Sequence, residues 1–142
     1  MAMDGGLRQT FQRHLPDADI TSVETWSTGR GVPDFNYCIA GAEGWVECKV
    51  TSGMAVGIRP EQVAWIERRC RVGGRVLIAV RRTTLAGPRK GPASDALWLY
   101  GGQSVRALHD IGLKHQDRLG YWAGSPAKWD WAEIRNIMTT AK

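Results

Sequence analysis

The stretch from residue 34 to residue 50 constrains the fold of this chain most strongly. In it, apolar residues recur with the two-residue period of half-buried strands on both sides of a glycine-containing segment: Phe35, Tyr37 and Ile39, then Val46, Cys48 and Val50. The segment Gly41–Gly44 between them is typical of a hairpin turn. We therefore predict two antiparallel strands whose apolar side chains face the core.

The flanking segments predict both helices and further strands. Leu7, Phe11 and Leu15 have helical spacing within residues 5–15, and residues 20–26 have the composition of a strand. A helix should begin at Pro60 and end at Gly73–Gly74, before a continuous apolar strand over 75–80. Later segments predict a strand at 97–100, a short helix with Val105, Leu108 and Ile111, and a final helix capped by Asp130 and Glu133.

This order of elements predicts an α/β or α+β fold, with a central mixed β-sheet flanked by helices. The length of 142 residues suits a single domain, with the motifs in residues 5–82 and a less defined part in 83–142. Residues 81–95 are basic and contain glycine and proline, so they form either a flexible loop or one that lines a groove.

Composition narrows the class of protein. No apolar run approaches the roughly 18 residues of a membrane span, and no signal peptide is recognisable, so we expect a cytoplasmic protein of a bacterial or phage-infected cell and no membrane partner. The three cysteines are widely spaced, which argues against a disulfide framework or a zinc site. A net charge of +5, rich in arginine, is compatible with phosphate binding but is weak evidence alone.

Three charged residues of the predicted hairpin suggest chemistry. Glu47 and Lys49 are two residues apart on one strand and therefore project from the same face, while Asp34 opens the neighbouring strand. Two converging carboxylates favour a hard divalent cation between them, Mg²⁺ or Mn²⁺, to which the backbone carbonyl of Cys48 could add an oxygen. The alternative is a surface ion pair for Glu47 and Lys49, with Asp34 in an ordinary turn.

Two groups of motifs resemble known nucleases. Gly31-Val32-Pro33-Asp34, followed by Val46-Glu47-Cys48-Lys49, resembles the motif of the PD-(D/E)xK nuclease superfamily. Arg59-Pro60-Glu61-Gln62, then Trp65, Gly74 and the strand 76–80 resemble the VRR-NUC family, whose core is shared with archaeal-type Holliday junction resolvases. The resemblance covers roughly residues 5–82 and implies a restriction-endonuclease-like core.

The resemblance also implies roles for individual residues. Asp34 and Glu47 would bind the metal ion, Lys49 would be the catalytic lysine, and Gln62 would face the same site to orient substrate or Lys49. Gln62 could otherwise be a simple polar residue of a first helical turn. Related nucleases often have an acid in the first helix, which this chain lacks, so the accessory candidates are Gln9, Gln12 and Glu24.

Basic and aromatic residues supply candidate DNA contacts. Arg30 could hold a phosphate or belong to an ordinary turn. Four further basic residues either contact the DNA backbone or belong to a solvated basic loop: Arg81, Arg82, Arg89 and Lys90. The late tryptophans Trp98, Trp122, Trp129 and Trp131 could stack on unpaired bases, although core packing or a dimer interface is favoured.

These features predict a metal-dependent DNA endonuclease. The resemblance implies branched DNA, such as a Holliday junction, as one substrate, and symmetrical cutting of a junction would require a homodimer. A sequence-specific restriction-type endonuclease, which uses the same chemistry, is an alternative. The rival from another class is a catalytically inactive nucleic-acid-binding module with a nuclease fold.

Overall fold

The computed structural model describes residues 6–23, 31–89 and 91–141. Within them the chain forms four α-helices and six β-strands, in the order α1 (Leu7–His14), β1 (Asp19–Ser22), β2 (Phe35–Ile39), β3 (Ala42–Thr51), α2 (Pro60–Arg71), β4 (Val76–Thr84), β5 (Ser94–Gly101), α3 (Val105–Ile111), β6 (Gly120–Ala123) and α4 (Trp131–Thr140). Three short 3₁₀ turns cover Gly102–Ser104, Gly112–Lys114 and Pro126–Lys128.

The described strands form one mixed sheet whose spatial order, β1-β2-β3-β4-β5-β6, equals their order in the chain. Neighbouring strands are antiparallel except for β3 and β4, which are parallel and are connected by α2. The prediction of an α+β fold with a mixed sheet flanked by helices is confirmed. None of the helices in the described ranges is long and apolar enough to cross a bilayer.

Two hydrophobic clusters cover the two faces of the sheet. On one face, α1 and α4 pack through Leu7, Phe11 and Ile134 against strand residues that include Val46 and Cys48. On the other face, α2 and α3 pack against strand residues with the opposite side-chain direction: Val76, Ile78, Val80 and Tyr100. Because side chains alternate along β3, Glu47 and Lys49 belong to the face covered by α2.

The hairpin turn is tighter than the sequence predicts. Ile39 pairs with Ala42, so the turn consists of Ala40 and Gly41, which have φ angles of 50° and 85°. Two successive positive φ angles match the right-handed twist of the strands, as in a type I′ turn. Gly44, which we assigned to the turn, lies instead in β3, where its missing Cβ leaves room for the Tyr37 ring.

The basic segment 81–95 is also more ordered than predicted. Arg81 and Arg82 belong to β4, which continues to Thr84, and pairing with β5 resumes at Ser94. The assignment of these two arginines to a loop is therefore wrong, since strand pairing outweighs the glycine and proline signals further along. Val50, which we expected to face the core, is 44% exposed near the end of β3. Strand β6 is a further difference, because the sequence did not predict it.

Candidate functional site

The hairpin register brings the two acidic side chains together. Phe35 pairs with Val46, so Asp34, the residue before β2, comes next to Glu47 when this register is continued by one step. Asp34 Oδ2 accepts a hydrogen bond of 2.7 Å from the backbone N–H of Cys48. This bond holds the Asp34 carboxylate at the edge of β3, beside Glu47.

Lys49 and Gln62 complete a polar network around Glu47. Lys49 Nζ lies 3.3 Å from Glu47 Oε2 and donates to Gln62 Oε1 at 2.9 Å. The Gln62 amide nitrogen in turn donates to Glu47 Oε2 at 2.7 Å. Glu47 and Gln62 are only 2% and 4% exposed, so the network is buried under α2 rather than lying on a solvated strand face.

The start of α2 explains why Gln62 reaches this network. Pro60 occupies the first helical turn, where its missing N–H is not needed. The backbone N–H of Arg59 donates to Gln62 Oε1 at 2.9 Å, as in a capping box. The Gln62 amide oxygen thus accepts from Arg59 and Lys49 together, which leaves its nitrogen directed at Glu47.

Gly31 fixes the loop that carries Asp34 against α2. Its φ is +85°, and a Cβ placed there would lie 2.6 Å from the carbonyl carbon of Glu61 and closer still to the carbonyl oxygen. Only glycine combines this backbone conformation with such a close approach. The loop before β2 and the first turn of α2 are therefore in direct contact beside the carboxylates.

Burial dominates the electrostatics of Glu47. Burial, followed by the charge of Asp34, raises the pKa of Glu47 to about 8, although Lys49 acts in the opposite direction. Glu47 Oε1 is buried and has no hydrogen-bond partner within the described residues. Such an orphaned buried oxygen carries a desolvation cost that a cation would remove.

The donor set around this oxygen is limited to hard ligands. Asp34 and Glu47 provide carboxylate oxygens, and the Cys48 carbonyl leaves β3 on the same edge as its N–H, toward Asp34. In the described ranges, no three His, Cys, Asp or Glu side chains are grouped as a metal site. The residues fit an oxygen-ligated cation that keeps several water or substrate ligands, as Mg²⁺ does, and not a closed zinc site.

This geometry predicts a pH dependence of stability for the metal-free protein. The pKa of Glu47 is about 8 in the folded state against 4.5 for an ordinary glutamate, so the folded state keeps a proton that the unfolded state loses. The free energy of unfolding should therefore fall as pH rises from about 4.5 to about 8 and level off above it. Chemical denaturation in EDTA at several pH values measures this slope.

Two variants isolate the contribution of Glu47 to this pH dependence of stability. Glu47→Gln removes the titrating group and should flatten the decline, whereas Glu43→Gln changes an exposed glutamate of the same strand and should leave it unaltered. If Glu47→Gln and the native chain lose stability equally between these pH values, Glu47 is ionised in the folded protein and the burial argument fails.

The predicted DNA-contacting residues do not share one environment. Arg81 donates two hydrogen bonds to Asp95, at 3.0 and 2.7 Å, and lies over the Trp129 ring. This bidentate pair occupies the guanidinium, so a DNA contact by Arg81 has no support here. Arg82 donates to the Gly53 carbonyl, and Arg89 is exposed, whereas Arg30 and Lys90 lie outside the described residues.

The accessory candidates are not brought to the carboxylates in the described part of the chain. Helix α1 packs through Phe11 in the cluster on the sheet face opposite Glu47. Gln12 Nε2 donates to the Ala18 carbonyl at 3.0 Å, and Gln9 is exposed. Glu24 lies outside the described residues. The candidate metal ligands among the described residues are therefore Asp34, Glu47 and the Cys48 carbonyl.

Sequence reasoning missed two supporting residues. The Arg59 backbone N–H holds Gln62, a role indicated by a polar side chain at the third position of the helix that begins at Pro60. Gly31 was noted as part of the motif that ends in Asp34, and the structure shows that its close neighbour is the Glu61 carbonyl. A contact between distant backbone segments leaves no local signal, so no sequence pattern could have identified it.

Comparison with known proteins gives no assignment. No family model, no curated protein and no solved structure matches this chain. The nuclease resemblance therefore depends on the motifs and on the geometry that they adopt.

Proposed function

We propose that this protein is a metal-dependent nuclease that hydrolyses phosphodiester bonds in DNA. The observation that carries the proposal is the meeting of Asp34 and Lys49 at the buried Glu47 carboxylate, whose Oε1 has no hydrogen-bond partner among the described residues. A structural ion pair does not need a second carboxylate beside the first. An oxygen-ligated divalent cation accounts for both carboxylates and for the orphaned atom.

Each residue has a definable part in the proposed reaction. Asp34 and Glu47, with the Cys48 carbonyl, would hold Mg²⁺ or Mn²⁺. When bound, the ion supplies positive charge for the phosphate and acidifies water. Lys49 Nζ stands beside the same carboxylate and would stabilise negative charge that develops on the phosphate. Gln62 keeps Lys49 in place through its amide oxygen and anchors Glu47 through its amide nitrogen.

The finer assignments belong to the same proposal. We keep the restriction-endonuclease-like core, in which the β2–β3 hairpin and the following helix carry the site. Branched DNA such as a Holliday junction is the proposed substrate, which entails a homodimer, and a restriction-type enzyme is the variant with the same chemistry. Free Cys38, Cys48 and Cys70 suit the reducing cytoplasm that we predicted.

Cleavage assays test the proposal directly. Supercoiled plasmid, linear duplex and a synthetic four-way junction are incubated with the protein in Mg²⁺, Mn²⁺ or EDTA, and the products are resolved on gels. We expect cutting in Mg²⁺ or Mn²⁺ and none in EDTA, with the junction cut fastest. Cutting that persists in EDTA would remove the metal-dependent mechanism.

The same assay distinguishes a nuclease from the rival interpretation, a catalytically inactive nucleic-acid-binding module. A nucleic-acid-binding module would retain all three DNAs in a gel-shift experiment and cut none of them in any metal. Such a module would also gain nothing from the buried Glu47 carboxylate beside Asp34, because their charges oppose phosphate binding. For this reason we favour the enzyme.

A further inference from the structure

A pair of aromatic residues lies on the same face of the sheet as the candidate site. Across the strands, Lys49 pairs in register with Val80, Val80 with Trp98, and Trp98 with Tyr121. With strands about 4.8 Å apart, Trp98 is about 10 Å and Tyr121 about 14 Å from Lys49 along this row. The two aromatic residues thus follow the candidate site toward the β6 edge.

We name Trp98 and Tyr121 the aromatic shelf. Their rings are 4.7 Å apart between centroids at an interplanar angle of 66°, and Tyr121 is 44% exposed. Helices α2 and α3 cover the rest of this face, but the shelf borders an open cavity of about 340 Å³. The cavity is also lined by Arg82, Ser94 and Asp95. A half-buried Trp98 and an exposed Tyr121 beside an open cavity suit a planar, apolar occupant.

The charges around the shelf favour an anionic occupant. The Arg118 guanidinium lies 5.7 Å from the centre of the Tyr121 ring, and Arg82 is held at the cavity wall by its bond to the Gly53 carbonyl. Asp95 is the acid of this cavity, and its carboxylate is paired with Arg81. The shelf therefore has one cation over the Tyr121 ring and a second cation at the cavity wall.

We propose that the aromatic shelf binds unpaired bases of single-stranded nucleic acid, next to the site of phosphodiester cleavage. Bases stack on aromatic rings whatever their identity, and arginines beside the rings attract the backbone phosphates. The loop after β3 packs on this face of the sheet through Val56 and Ile58, in the same hydrophobic cluster as Val80 and Trp98. The inference rests on the proposed function and specifies a substrate with an unpaired segment, such as a flap or an open junction.

A binding experiment without metal tests the shelf independently of cleavage. Fluorescence anisotropy in EDTA compares an oligothymidylate with an abasic oligonucleotide of equal length, which has the same phosphates but no bases. The native protein should bind the oligothymidylate more tightly. Tyr121→Ala and Trp98→Leu should each lower that affinity roughly 5- to 100-fold and leave the affinity for the abasic strand unchanged. Tyr121→Phe keeps the ring and should bind like the native chain.

Each outcome decides a different claim. Equal affinity of the native protein for both strands, or equal losses on both strands in Tyr121→Ala, would overturn the shelf. A dimer that becomes monomeric in Tyr121→Ala, measured by light scattering with DNA affinity unchanged, would show that the shelf is an interface between copies. Base-dependent binding without cleavage in Mg²⁺ would support the shelf and refute the nuclease. Cleavage without base-dependent binding would do the reverse.

Discussion

Replacing Lys49 with methionine should lower the rate of Mg²⁺-dependent DNA cleavage by about 10²–10³-fold, while Mg²⁺ still binds. Methionine keeps most of the apolar length of the side chain but removes the ammonium that lies 3.3 Å from Glu47 Oε2. Losing one group that stabilises developing charge in a reaction typically has an effect of this size. The measurement is single-turnover cleavage of the preferred DNA, with metal binding followed by the rise in Tm on adding Mg²⁺.

Glu47→Gln provides the contrast to Lys49→Met. It retains the shape of the side chain but removes the charge of a proposed metal ligand, so both cleavage and the Mg²⁺-induced rise in Tm should be lost. Lys114→Met removes one exposed lysine and controls for the change in net charge. Lys114→Met should cut DNA at the native rate. If Lys49→Met also cuts at the native rate, Lys49 has no part in the reaction.

Gly31→Ala should destabilise the fold by roughly 3 kcal/mol or more, the second large effect that we expect. The methyl group would overlap the Glu61 carbonyl, and the φ of +85° is itself unfavourable for alanine. Relief would require the loop that carries Asp34 to move away from α2. The measurement is urea denaturation, with Mg²⁺-dependent cleavage recorded in parallel.

Gly41→Ala is the matched control for this loop substitution. Gly41 has the same φ of +85°, but a Cβ there meets no atom within 4 Å. Gly41→Ala should therefore lower the free energy of unfolding only by the cost of a positive φ for alanine, about 1 kcal/mol, and leave cleavage unchanged. Equal destabilisation by the two substitutions would mean that the contact between Gly31 and Glu61 contributes nothing.

The local part of the fold and of the site was predictable from the sequence. Alternation fixed the faces of β2 and β3, so that Glu47 and Lys49 were expected on one side, and Pro60 marked the start of α2. The cap of α4 also follows the sequence, since Asp130 accepts from the Glu133 N–H at 3.0 Å. Each of these signals lies within a few residues of the feature that it predicts.

Features that depend on distant partners were not predictable. The burial of Glu47 results from α2 lying over β3, and the capture of Arg81 by Asp95 results from the pairing of β4 with β5. Strand β6 has only four residues, and its pairing with β5 defines it better than its composition does. The aromatic shelf likewise arises from the register between strands and has no local motif.

All four side chains of the site come from residues 34–62, that is, from one hairpin and the first turn of the next helix. During synthesis these residues leave the ribosome before β6 and α4 have been made. Asp34 and Glu47 thus come together before the sheet is complete. Their mutual repulsion then opposes the packing of α2 onto the β2–β3 hairpin. A divalent ion, or a proton on Glu47, would relieve it, which ties the chain's early folding to the ionic composition around the ribosome.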